Sequence, residues 1–173
     1  MATIPVFPGK LEQLATKVYL MWAGFAIGVA FLATPAKFLA PSLSLTVALD
    51  VGRHTFRIYN TVELALVLVL LAMGAGARRR RRWYLALLVP ALIVVAQALW
   101  LIPALDHRVS AILAGQSPAP SGLHTAYIAA EGLKVLWLLA MGLGGILSRP
   151  STRAAGLGRG VKGSGWFPIV ENS

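Results

Sequence analysis

The chain has 173 residues, 57% of them hydrophobic and only 13% charged, with a mean hydropathy of +0.72 and a formal net charge of +10. Soluble domains average about 45–50% apolar and 25% charged residues, so the composition excludes an ordinary soluble fold and points to an integral membrane protein built as one helical unit. The charge excess does not indicate nucleic acid, because no basic stretch lies on a soluble fold; in a membrane protein, basic residues set topology and meet anionic lipid headgroups.

Residues 1–17 are mixed in character and contain prolines, and they read as an N-terminal interfacial segment on the cytoplasmic side. The apolar run behind them exceeds the roughly 7–15 residues of a signal-peptide core, so it reads as a retained first span, 18–39. Gly24 and Gly28 form a small-xxx-small pair that lets another helix approach, with internal packing preferred over self-association. Residues 40–57 form a loop with room for a short interfacial helix. The second span, 58–75, carries Asn60 and Glu63 on its first turns, and Arg53 and Arg57 extend that stripe into the loop.

Five consecutive arginines, Arg78 to Arg82, separate the second span from the third, 83–105. By the positive-inside rule that loop is cytoplasmic. Pro90 should kink the third span and free a backbone carbonyl that its neighbours must satisfy. Gln97 is its one strongly polar interior residue. A second external loop, 106–122, ends in a Pro/Ser-rich stretch. The fourth span, 123–147, crosses with His124, Tyr127, Glu131 and Lys134 spaced by three and four, hence on one helix face. The basic, glycine-rich tail, 148–173, ends in an apolar cluster in which Trp166 and Phe167 are partner-anchor candidates.

The fold expected is therefore all-α, a bundle of four transmembrane helices with both termini cytoplasmic. Eleven Lys and Arg residues then fall on the inner side and four on the outer: Lys37, Arg53, Arg57 and Arg108. A rise of about 1.5 Å per residue puts Glu63, Gln97, Glu131 and Lys134 in one layer, about 8 to 15 Å below the external boundary. Charges there cost at least about 2.5–3.5 kcal/mol each unless paired or wetted. Three readings of the layer stay open: a structural polar clasp, a small-molecule pocket, and a proton or ion path. In the clasp, Glu131 pairs with Lys134 and Glu63 takes Arg57 or Lys134. Ligand or polar-cluster candidates are Arg57, Asn60, Glu63, Gln97, His124, Tyr127, Glu131 and Lys134. Metal candidates are His54, His107 and His124, but they stand at helix ends or in loops, with no deeper histidine to complete a haem site. The absence of cysteine removes disulfides and thiolate ligands.

Four short segments repeat a familiar order. Arg53-His54-Thr55-Phe56 precedes the second span, Trp100-Leu101-Ile102-Pro103 closes the third, Leu123-His124 opens the fourth, and a glycine-bearing first span ends near a proline. Over about residues 23–139 the chain resembles the uncharacterised family of four-helix membrane proteins typified by transmembrane protein 205 and its bacterial relatives. Hydropathy and helix count alone also fit other small four-span families, such as the anthrone-oxygenase-like group. The resemblance implies a four-helix bundle and supplies no catalytic residue. The function expected first is a non-catalytic accessory or binding subunit, packed against other membrane subunits in a bacterial inner membrane. The alternative is a small redox or ligand-handling protein that binds quinone, haem or metal in an outer-leaflet polar pocket. Four short spans without an internal repeat argue against a transporter.

Overall fold

A computed structural model of the chain describes residues 9–77 and 79–147, and it is helical throughout apart from short connections. Four helices are long and apolar enough to cross a membrane: α1 Lys10–Leu39, α2 Leu45–Gly74, α3 Arg80–Leu113 and α4 Leu123–Leu147. They run up and down. The connection between α2 and α3 marks one end of the bundle, here the arginine end, and the connections at 40–44 and 114–122 mark the other, the loop end. In space α1 packs mainly on α4 and α2 on α3, and α3–α4 and α1–α2 contacts close the ring. The outer surface is apolar: Leu32, Leu68, Leu99 and Leu136 are among many large hydrophobic side chains left exposed. A contiguous apolar surface on this scale suits lipid and not water.

Three helices are longer than hydropathy indicates. α1 starts at Lys10 and not near residue 18; Gly9 caps it, and the buried Glu12 carboxylate folds back against Gly9 at the helix start, where the macrodipole favours an anion. α2 starts at Leu45, so most of the expected 40–57 loop is helix. Its N-cap is Ser44, whose Oγ accepts from the Val47 N–H. α3 runs on to Leu113, so residues 106–113 also leave the expected loop. Polar pairs carry these extensions: Arg57 Nη2 lies 2.6 Å from Asp106 Oδ2, Arg53 Nη1 donates to Ser110 Oγ at 3.2 Å, and Asp50 pairs with Arg53 at 2.7 Å. The mean hydropathy of a window falls where charged residues enter it, and α2 and α3 continue past that point with those residues paired. Gly115, at φ 78°, closes α3 in a Schellman turn, with its N–H bonded to Ile112 and the Gln116 N–H to the Ala111 carbonyl.

Pro90 lies inside an α-helical stretch, Arg80–Ala96. The carbonyl its missing N–H would have served, that of Ala86, accepts instead from Trp137 Nε1 at 2.8 Å. Two widened, π-helical turns, Ile27–Ala33 and Gln97–Leu101, stand just ahead of Pro35 and Pro103. In each the residue before the proline bonds five back, Thr34 N–H to Val29 and Ile102 N–H to Gln97, which relieves the proline ring of its usual clash with the preceding turn.

Close helix approach occurs at glycines other than those expected. A Cβ at Gly24 or Gly28 would meet nothing within 4 Å, so this pair makes no internal helix contact among the described residues. On α4, a Cβ at Gly142 would strike Leu20 and one at Gly145 would strike Thr16, so the α1–α4 seam is set there. The densest core, with Trp22, Leu70, Trp83, Leu87 and Leu138 fully buried, fills the half of the bundle toward the arginine end. A smaller cluster of Leu101, Ile102 and Tyr127 lies toward the loop end.

Candidate functional site

Between these two cores all four helices contribute polar side chains to one point. Glu63 on α2, Gln97 on α3, and Glu131 and Lys134 on α4 are each 0–1% exposed. Lys134 Nζ is the hub. It lies 2.6 Å from Glu63 Oε1 and 2.7 Å from Glu131 Oε1, and donates to Gln97 Oε1 at 3.1 Å. Gln97 Nε2 donates to Glu131 Oε1 at 2.8 Å. Two residues not singled out in the sequence complete the shell: Trp22 Nε1 on α1 donates to Glu63 Oε1 at 2.8 Å, and Tyr59 Oη on α2 donates to Glu131 Oε2 at 3.0 Å. The Lys134 ammonium also stands 5.3 Å from the Tyr59 ring centre.

A single ammonium thus lies between two carboxylates, and the carboxylates accept further bonds from an indole, a phenol and an amide. Isolated, each charge would carry a heavy desolvation cost; bonded on every side, they hold one another. Glu63 takes Lys134 and not Arg57, because Arg57 is drawn to Asp106 at the loop end. Asn60 stays just outside the knot and donates Nδ2 to the Val94 carbonyl at 3.2 Å. Tyr127 is buried with its ring 4.7 Å from that of Phe56. Its hydroxyl lies close to the Glu131 carboxylate.

The loop-end half encloses space. A cavity of about 410 Å³ is walled by Phe38, Leu49, Phe56, Leu105 and Ile112, with Lys37, Arg53, Asp106, Arg108 and His124 among its polar groups. A second, of about 220 Å³, shares Thr34, Phe38, Phe56 and His124 with the first and runs between α1 and α4 to Tyr127 and Glu131. The larger volume falls within the range of small-molecule pockets. His124 therefore stands on the cavity wall, away from the knot. His54 lies at the loop end, with Nε2 3.8 Å from Asp50, and His107 lines a shallow dent with Arg57 and Asp106. Among the described residues no three His, Cys, Asp or Glu side chains gather as a metal site would require. Trp166 and Phe167 lie outside the described residues.

Of the stripe at 124, 127, 131 and 134, Glu131 and Lys134 meet in the knot, while Tyr127 and His124 lie toward the loop end and the cavity. Trp22 and Tyr59 were missed. Each has a mostly apolar side chain that reads as core or interface, and only the pairing of α1 and α2 with α4 turns its single donor toward a carboxylate. Lys37 was counted for topology, and its place over the cavity depended on how the end of α1 meets α2. Compared with known proteins, the chain matches no family model, no curated protein and no solved structure.

Proposed function

We propose that the protein is an integral membrane protein that binds a small amphipathic molecule without transforming it, in the cavity at the loop end of its bundle. The observation that carries this reading is the pair of cavities with shared walls, running from the polar rim at Lys37, Arg108 and His124 down to Tyr127 and Glu131. The buried knot beneath serves as the rigid floor, since every charged atom in it is already engaged. Concave, mostly apolar space with a few polar groups at its rim is what small-molecule sites share.

The cavity reading is tested by what stays with the purified protein. Solvent extraction and mass spectrometry of detergent-purified protein should recover a molecule at near-stoichiometric yield, and Leu49→Trp, which fills the larger chamber, should reduce that yield at least about fivefold. Equal recovery from both proteins would overturn the reading.

A second reading draws on a separate observation. Gly24 and Gly28 leave the α1 surface open to a helix from another chain, which suits an accessory subunit packed against a larger assembly. The resemblance to the transmembrane protein 205 family is compatible with either reading. The distribution of basic residues supports placing the arginine end and both termini on the cytoplasmic side, and we place the protein in a bacterial inner membrane as part of this proposal.

A further inference from the structure

The cavity's charges are unevenly engaged. Arg53 is held by Asp50 and Asp106. Arg108 donates to the carbonyls of Pro118 and Ala119. Lys37 is different: it shares the cavity lining with Asp106, but among the described residues it makes no ion pair within 4.0 Å. Its ammonium lies over the rings of Phe38 and Phe56, 5.1 and 5.8 Å from their centres. It also rests against Gly52, where a Cβ would collide with it, so the bare α2 backbone makes the seat. Lys37, Arg53 and Arg108 thus line, with the single carboxylate Asp106, a chamber whose walls are otherwise mainly apolar. Aromatic faces alone leave a half-buried ammonium short of the anionic partner that such a low-dielectric site favours.

The smaller chamber extends toward lipid. It lies where the widened turn of α1, Ile27–Ala33, faces α4. At its edge stand Phe31, 42% exposed, and Ile128, 46% exposed, both on the apolar outside of the bundle. An acyl or similar chain can enter there directly from the bilayer. Polarity fixes the orientation. Glu131 at the far end of the smaller chamber repels an anion, and Lys37 in the larger attracts one.

We propose that the cavity takes a single-chain amphiphile with an anionic oxygen-acid head, carboxylate or phosphate. The head meets the Lys37 ammonium and the chain lies in the chamber between α1 and α4. This rests on the cavity-binding reading above.

The test uses the full chain in a non-ionic detergent, with radiolabelled palmitate and its neutral methyl ester as probes and inorganic phosphate as competitor. Palmitate should bind at least about tenfold more tightly than the ester, the size of effect expected when a buried charge gains a charged hydrogen-bond partner. Lys37→Met should abolish that preference, while Lys37→Arg keeps it. Ile128→Trp should weaken both probes by narrowing the mouth. Inorganic phosphate at equal concentration should not displace palmitate. Equal binding of acid and ester, unaltered by Lys37→Met, would overturn the anionic head while leaving the cavity reading intact. Displacement by phosphate alone would overturn the chain requirement. Failure of both probes to bind would overturn the proposed class of ligand, and would count against the cavity reading too only if Leu49→Trp and the parent protein also yield equal extracts.

Discussion

At the level of single residues, the knot around Lys134 makes unequal demands on its members. Removing Lys134 strands two buried carboxylates, Glu63 and Glu131, whereas removing the charge of Glu131 leaves one ammonium with one carboxylate. Stranding a buried charge typically costs about 3–5 kcal/mol. Lys134→Met should therefore destabilise the bundle by about that amount, and Glu131→Gln by distinctly less. Tyr59→Phe, which deletes one donor to Glu131, should cost about 1–2 kcal/mol. Unfolding in mixed micelles, followed by helical circular dichroism, gives the ranking; a Glu131→Gln protein less stable than Lys134→Met would show that Glu131 and not Lys134 is the hub. Sequence spacing brought Glu131 and Lys134 onto one face without assigning Glu63 a partner. Arg57 on its own helix and Lys134 at a similar depth on α4 were both possible partners, and in the structure Arg57 pairs with Asp106 on α3.

For the helices as units, apolar runs were a good guide to number and a poor guide to length. The four spans were legible because about 20 apolar residues are needed to cross the hydrocarbon and few other structures use them. The true ends were not, because α2 and α3 continue beyond the apolar surface on pairs such as Arg57–Asp106 that join residues 49 positions apart in the chain. Packing glycines show the same division. Gly24, Gly28, Gly142 and Gly145 look alike in sequence, and which of them faces a neighbour depends on how each helix is rotated in the bundle. Gly145→Leu should force α1 and α4 apart at Thr16 and lower the midpoint of thermal unfolding by several degrees or prevent folding. Gly24→Leu should leave that midpoint unchanged. If an accessory role is correct, Gly24→Leu should nevertheless release the folded protein from a large complex during size fractionation of detergent extracts. Equal destabilisation by both substitutions would mean that α1 is rotated from the orientation described.

For the whole molecule, charge predicts a direction in the membrane. The arginine run and the basic residues near both termini oppose four basic residues toward the loop end. Reporters fused at Arg80 and at the C-terminus should read cytoplasmic, and one inserted within 116–121 should read external; an external C-terminus with a cytoplasmic Arg80 would require an odd number of crossings between the two points. What the sequence determined by itself was whatever depends on composition and short spacing: helical class, four apolar spans, and a shared polar depth. Apolar length and charge counts are local sums, so they survive without knowledge of neighbours. The tertiary structure alone decided which groups at that depth touch, and that Trp22 and Tyr59 join them. It alone moved close packing from Gly24 and Gly28 to Gly142 and Gly145. It alone left space at the loop end, where the widened turn of α1 stands off α4 and an ammonium lies over aromatic rings. Those features depend on helix rotation and separation, which arise from packing between segments distant in the chain.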